Sequence, residues 1–491
     1  MKVSFIVPIY KKTPEQLRNC LKSLTKQSYK DIEVIAVFDG ENEELQKAAL
    51  DFHVKSIVIE HGGACKARNE GAKLSTGDLI VCWDADCYAE PEMTRMWVDT
   101  LNENPDCDFV YSGYRFTDPN YPAFESEPFD PWTLEKYNYI ASMFPLRREK
   151  FPGWDESLDG LQDWDYWRRV VAAGSKGKFI PGYGFVTEPP TNDSISGQTE
   201  KRIERIRRVR EKHKDVTPDI LVQGILLKRD AIVMAKTLGA DYFNGPFWKI
   251  GDYKMVLMMG LHPWEIENSV STFMAVGPDT VRAIYWTGYD ADSFAMSPYM
   301  PTKALIKTIN EGVHYNFAMD DRTKNVLDAF GIQSEVLAFP REAGEPGKAL
   351  PDKFKVLVWA DDNFRAHAES VVKAMPDIEF QMVQENIFYR IPEYALVMQY
   401  TASQRLEMGS KNALMMGRYV ISNVQAPYAG YISPNQDVTA FKNEVIAKIR
   451  EIQAKKEINA EAQAHYLEET APGKFVDRIK ACLPAKLEVV A

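Results

Sequence analysis

Short apolar runs rich in β-branched residues alternate with stretches of helical period along most of this chain. In the first 120 residues KVSFIVPIY, DIEVIAVFD, KSIVIEH and LIVCWDAD have the length and composition of buried strands. Between them TPEQLRNCLKSLTKQS, ENEELQKAALDF and GACKARNEGAKLS carry the 3.6-residue spacing of amphipathic helices. Strand and helix in strict alternation predict an α/β fold with a mostly parallel sheet. Thr13, followed by Pro14 and Gln16, supplies a cap, a first-turn proline and a capping-box partner, which fixes one strand-to-helix turn. Residues 121–160, rich in Pro, Trp, Phe and Tyr, read as a loop-rich segment over the sheet, and LQDWDYWRRVVAAG reads as a helix ending at Gly174. The alternation restarts with DILVQGILL, YKMVLMMG, TVRAIYWTG and VHYNFAMDD. It restarts again after the Gly- and Pro-containing PREAGEPGKALPDK with KFKVLVWADD, IEFQMVQEN, YALVMQY and MMGRYVISN, and closes on one long charged helix, VTAFKNEVIAKIREIQAKKEINAEAQAHYLEE.

The predicted organisation is an α/β domain over 1–200, a basic linker helix over 201–215, a Rossmann-like half over 216–345 and a second Rossmann-like half with C-terminal helices over 346–491. The 491 residues agree with this, at about 150 per domain. With 59 Lys and Arg against 70 Asp and Glu, the net charge of −11 disfavours a generic binder of nucleic acid. Six scattered cysteines show neither a disulfide framework nor zinc spacing and suit a reducing compartment. The apolar N-terminus breaks at Pro8 and reads as a first strand rather than a signal peptide, and no apolar run reaches the roughly 18 residues of a membrane span. The chain is therefore expected in the cytoplasm. KRIERIRRVREKHK, with its narrow stripe of Ile203, Ile206 and Val209, has two readings: peripheral contact with anionic lipid at the inner membrane surface, or a solvated connector with intrahelical ion pairs, the commoner case.

Ligands of open parallel sheets bind outside the carboxyl ends of the strands. Those ends carry Pro8-Ile9-Tyr10, Asp39-Gly40, His61-Gly62-Gly63 and Asp84-Ala85-Asp86. Two carboxylates at alternate positions just past a buried strand can present oxygens to a hard divalent cation that also grips a diphosphate. An isolated pair of this kind more often caps a turn; its place beside the other strand ends favours the metal reading. Asp165 pairs along its helix with Arg168 or Arg169. Asp320 or Asp321 is expected as an N-cap, Cys82 and Cys87 as packing residues, and His314 and His262 as lone histidines, a type more often structural than functional, with His262 kept as a candidate site.

SFIVPIY, VFDG, GACKARNEG, TGDLIVCWDAD and GWDESLDGLQDWDYWRRV resemble, in order and spacing, family 2 glycosyltransferases of the GT-A fold. The resemblance covers about residues 1–200. It implies that Pro8, Tyr10 and Asp39 contact the base and ribose of a nucleotide sugar, a UDP-sugar first among donors. Arg68 would lie near the base or diphosphate, Asp84 would meet ribose or metal, and Asp86 would ligate Mn²⁺ or Mg²⁺. The family's base lies in a Glu-Asp pair opening a helix, matched by Gln162-Asp163, which gives Asp163 the base role and places Gln162 near acceptor or donor. Trp154, Trp164 and Trp167 are candidates for an acceptor-stacking wall, with core packing as the alternative. Two departures stand out: Gln162 replaces a Glu, and FVTEPPTNDSIS lacks the family's metal-binding His, leaving Glu188, Asn192 or Asp193 by position. Residues 216–491 more faintly resemble a GT-B glycosyltransferase. QRLEMGSKNALMMGRYVISN looks like its donor-binding segment, where Gly417 and Val420 keep the pattern, Lys411 is a candidate contact and Asn412 replaces the Glu. The function implied is a metal-dependent, inverting glycosyltransferase acting on a glycan, lipid-linked or other hydroxyl acceptor in polysaccharide or glycoconjugate synthesis. The rivals are transfer to a hydroxylated nucleobase or protein, and a non-catalytic binding scaffold.

Overall fold

The computed structural model describes residues 1–190, 201–224, 227–243, 252–261, 273, 275–277, 279–294, 303–340, 349–383, 388–401, 408–433 and 437–484. The chain divides into two compact units, one built mainly from Met1–Thr217 and the other mainly from Pro218 onward.

The first unit is formed around an eight-stranded sheet: β1 (Val3–Ile9), β2 (Ile32–Asp39), β3 (Lys55–Ile59), β4 (Leu79–Cys82), β5 (Cys87–Ala89), β6 (Phe109–Phe116), β7 (Leu146–Arg147) and β8 (Gly177–Thr187), in the spatial order 3-2-1-4-7-6-8-5. The four strands expected from the sequence are parallel neighbours at one side. Buried on both faces, β1, β2 and β4 are near-continuous apolar runs rather than alternating, whereas β3 at the sheet edge is largely exposed. Winding runs outward from β1 to β3, then returns to β4 on the other side of β1, so the crevice at this switch lies between the ends of β1 and β4. Helix α1 (Pro14–Thr25) opens with both bonds of the Thr13–Gln16 capping box, and α2 (Glu43–Ala49) follows on β2. Helix α3 (Ala64–Leu74) lies close on the sheet because Gly71 has no side chain; a Cβ there would sit 2.3 Å from Ile6 Cγ2. Beneath the sheet Phe5, Trp83, Trp97 and Phe185 interlock, with Trp83 and Phe185 centroids 5.1 Å apart. Each such ring removes enough apolar area from water to contribute on the order of 2–3 kcal/mol.

The remaining helices of this unit are α4 (Met93–Glu103), α5 (Pro131–Lys136), α6 (Gln162–Ala172) and α7 (Arg202–Lys212). The basic α7 is an integral part of the unit rather than a solvated connector with intrahelical pairs. Ile206 and Val209 are buried, and its cations face acids of the loop before α6 and of α6 itself. Arg208 meets Asp159 at 3.0 Å, and Lys212 pairs with Asp155 and with Asp165 at 2.7 Å. Arg168, on α6, forks onto Asp215 at 2.6 and 2.9 Å.

The second unit contains two fully parallel sheets. One comprises β9 (Ile220–Gln223), β10 (Asp241–Phe243), β11 (Met255–Met259), β12 (Val281–Trp286), β13 (Tyr315–Ala318) and β14 (Glu335–Val336), ordered 10-9-11-12-13-14. The other comprises β15 (Lys355–Ala360), β16 (Glu379–Val383), β17 (Leu396–Tyr400), β18 (Tyr419–Ser422) and β19 (Gly430–Tyr431), ordered 16-15-17-18-19. Both are doubly wound, with the same reversal beside their first strand, and so are Rossmann-like in architecture. Asp320 caps the helix Asp321–Ala329 by accepting Thr323 N–H at 2.8 Å. The long helix expected at the C-terminus is two helices instead: Lys456 takes a left-handed φ of 53° that ends Val438–Lys455, and Asn459 caps Ala460–Glu469. Among the described residues no helix is long and apolar enough to cross a membrane.

Candidate active site

The β1, β2, β3 and β4 ends of the first unit bring their polar residues to one crevice, and a buried guanidinium ties them to α6. Arg68, on the face of α3 turned to the sheet, donates from Nη2 to Asp84 Oδ1 at 2.8 Å and from Nη1 to Gln162 Oε1 at 3.2 Å. Its guanidinium lies 4.5 Å over the Trp154 ring, a cation–π contact that holds the fork in place. Gln162 returns its amide N–H to Leu158 O at 2.7 Å. Where the resembling family has a Glu, the neutral amide accepts one bond and donates the other, so no second negative charge competes for Arg68.

Asp163 follows, after Leu161 turns the chain with a left-handed φ of 53°. One carboxylate oxygen accepts Asn138 Nδ2 at 2.8 Å and the other accepts Trp164 N–H at 2.9 Å. Burial raises the Asp163 pKa above the ordinary aspartate value, outweighing the Trp164 N–H, Arg68 and Asn138, which all favour the charged form. Upward displacement makes the ionised carboxylate a stronger base. Asp165, two residues on, points away into the protein and serves the packing of α7.

Asp86 is 27% exposed at the crevice, and the Lys12 ammonium pairs with it. Burial disfavours the charged lysine, but Asp86 and Asp84 outweigh it and hold the Lys12 pKa above its ordinary value. The carboxylate thus already faces a cation, and its hard oxygens suit Mg²⁺ or Mn²⁺. Asp84 is held by Arg68. Glu188, one of three residues placed as a further ligand by position, accepts Gln16 Nε2 at 2.6 Å and Tyr88 OH at 2.8 Å. Asn192 and Asp193 lie outside the described residues, among which no group of three metal-binding side chains forms. A metal held here would take Asp86 from the protein and further oxygens from a diphosphate. Lys12 is then its competitor, and Lys12→Met is expected to tighten Mn²⁺ binding several-fold when free Mn²⁺ is followed by electron paramagnetic resonance; unchanged or weaker binding would refute the competition.

Asp39 is 2% exposed and its oxygens accept Gly62 N–H at 2.7 Å and Gly63 N–H at 3.0 Å, with His61 Nδ1 at 2.9 Å. It is committed to the turn that opens α3. The surface that the crevice presents instead is aromatic: Tyr10 stacks on His61 with centroids 4.3 Å apart, and the His61 side chain is 53% exposed. Pro8, on β1, is half-buried at the base of this end.

The three tryptophans do not form an acceptor wall. Trp154 is 4% exposed, stacks on Tyr166 at 4.3 Å and donates from its indole to Cys82 Sγ. Trp164 donates to Leu134 O and Trp167 to Ala141 O from buried indoles. Their helix must bury one face on the sheet, and large apolar residues on that face are covered by it. In the second unit His314 Nδ1 accepts Arg282 N–H at 2.9 Å, a structural role. Lys411 and Asn412 are half-buried on the helix Met408–Met415, and His262 lies outside the described residues.

Residues 4–154, within the first unit, match the family model described as glycosyl transferase family 2. The chain is 35% identical over 112 residues to a glucosyl-dolichyl phosphate glucuronosyltransferase of Haloferax volcanii, covering 22% of this chain and 36% of that protein. It is 28% identical over 192 residues to an uncharacterised glycosyltransferase of Rickettsia typhi, covering 35% of this chain and 59% of the relative. The chain thus spans less than two thirds of the length of either. Among solved structures, S. aureus TarS aligns at 14% identity and a TM-score of 0.35, over 66% of this chain and 50% of TarS. A mannosyltransferase of Pyrobaculum calidifontis in complex with GDP-Man and Mn²⁺ aligns at 17% identity and a TM-score of 0.35, over 44% of this chain and 65% of that one.

Proposed function

We propose that the first unit is an inverting glycosyltransferase that moves a sugar from a nucleotide-sugar donor, a UDP-sugar first, to an acceptor hydroxyl. The observation that carries this reading is Arg68, which joins Asp84 at the end of β4 to Gln162 at the start of α6 and so makes one site of the donor side and the base. Tyr10 and His61 offer a flat face to the nucleobase. Asp86 would hold a divalent cation, whose charge would serve to neutralise a diphosphate leaving group. Asp163 accepts the proton of the acceptor hydroxyl as that oxygen bonds to the anomeric carbon and the carbon–diphosphate bond breaks, inverting the centre in a single displacement. Asn138 fixes the carboxylate, and the Trp164 N–H at the helix start stabilises its ionised form.

The test is nucleotide release from a panel of UDP-, GDP-, CMP- and dTDP-sugars, with Mn²⁺ or after chelation. Release from one donor that is lost on chelation, in Asp86→Asn and in Asp163→Asn is expected. Release that survives both substitutions would place the activity outside this crevice.

A further inference from the structure

A second feature of the crevice comes from an irregularity in β6. Its pairing with β8 shifts register on both sides of Gly113, so that the strand bulges and the side chain of Tyr114 is re-aimed. Tyr114 leaves β8 for an isolated antiparallel bridge with Phe124, donating to its carbonyl at 3.1 Å and accepting from its N–H at 2.9 Å. Position 113 must be glycine for this approach: a Cβ would lie 2.7 Å from the Phe124 carbonyl oxygen.

The bulge places the Tyr114 ring between two others. Phe124 stacks on it at 4.8 Å and 10°, and Phe185 at 4.9 Å and 15°. With both faces covered, the ring is rigid and its hydroxyl is the group left to act; among the described residues that hydroxyl makes no hydrogen bond. The charges that act on it belong to the active site. After burial, the Asp163 carboxylate, and then Asp84 among the acids, push the phenol above its ordinary pKa, so it stays a proton donor at any physiological pH. Outward from Tyr114 the rings continue: Phe116 at 5.5 Å, then Tyr121 a further 4.4 Å on, 40% exposed at the surface.

We propose that Tyr114, Phe116 and Tyr121 form the acceptor subsite and that the acceptor is a pyranoside. The Tyr114 hydroxyl donates to a sugar hydroxyl next to the one that attacks, and Phe116 and Tyr121 pack against the C–H face of the ring. An aromatic edge with one fixed donor beside a general base matches a saccharide, which carries both apolar faces and closely spaced hydroxyls. The inference rests on the transferase reading for its geometry, and it assigns to β6 the role that the buried tryptophans of α6 do not fill.

The test uses saturation-transfer NMR on the full chain with UDP and Mn²⁺. The probes are the methyl α- and β-pyranosides of glucose, galactose, mannose and N-acetylglucosamine. Saturation of the ring protons of at least one glycoside is expected. Tyr114→Phe and Tyr121→Ala should each weaken its Kd by about fivefold or more, with UDP affinity within about twofold of the parent. Absence of saturation from every glycoside, or saturation unaffected by both substitutions, would overturn the subsite. Loss of UDP affinity in the two variants would make these rings part of the donor site instead. Failure of the parent chain to bind UDP would count against the transferase reading, while the glycoside signal and its loss in the variants would still decide the subsite.

Discussion

Asp163→Asn is expected to lower sugar transfer by about 1,000-fold and to leave nucleotide affinity within about twofold. The asparagine keeps the shape and can still take part in the bonds to Asn138 and Trp164, but it cannot accept the acceptor's proton at neutral pH. The raised pKa of Asp163 adds a second signature. Because burial holds the carboxyl above its ordinary value, kcat should fall with decreasing pH at a higher pH than an exposed aspartate would give. The limb should vanish in the variant's residual activity. A variant that transfers at the parental rate, or one that loses nucleotide binding in step with activity, would remove Asp163 from the base role.

Asp165→Asn, two residues along the same helix, is expected to do the opposite: to destabilise the first unit by roughly 2–3 kcal/mol, toward the low end for breaking a buried charge cluster because its partners are partly exposed. The Asp165 side chain is 0% exposed and accepts from Arg169 Nε at 2.9 Å, Lys212 Nζ at 2.7 Å and His213 Nε2 at 3.0 Å. Burial alone would raise its pKa; His213, Lys212 and Arg169 together outweigh burial and hold it well below the usual carboxylate range. The depressed value means that this stabilisation is complete above the unfolded-state pKa of about 4 and is lost as pH falls through the folded value below it. Urea unfolding at pH 7 should show a lower midpoint with an unchanged slope, and the gap between parent and variant should narrow below about pH 4. Equal midpoints at pH 7 would show that Asp165 does not hold α6 to α7.

The helical pairing of Asp165 with Arg169 was legible in the sequence, as was much of the first sheet. The Thr13 box, the four strand runs and their polar ends are local signals, and the structure places them as read. What was not legible depended on distant partners. Asn138 reaches Asp163 from a segment that reads as loop, Lys12 meets Asp86 across 74 positions of sequence, and Arg68 bridges to Gln162 across 94. Tyr114 gave only a faint sign, a glycine inside an aromatic strand, which marks a bulge as often as a weak point. The tryptophans of α6 misled for a physical reason: helical spacing shows that a face is apolar but not whether sheet or sugar covers it. The acid partners of α7, likewise, come from loop residues 155 and 159 and from Asp165 on α6, too far in sequence for its charge pattern to reveal.

All six cysteines are unpaired and buried, and burial raises their thiol pKa values, to about 11 for Cys65 and about 12 for Cys82. A thiol of that kind is neither ionised nor reachable, and therefore inert to alkylation while its surroundings stay closed. Five of them, Cys20, Cys65, Cys82, Cys87 and Cys107, belong to the first unit, and Cys482 belongs to the second. The chain thus carries its own set of clocks. Under iodoacetamide, mass spectrometry of the intact protein would register opening of the second unit as a single added label and opening of the first as a cluster of up to five, so that the order in which the two halves breathe is written in the pattern of masses.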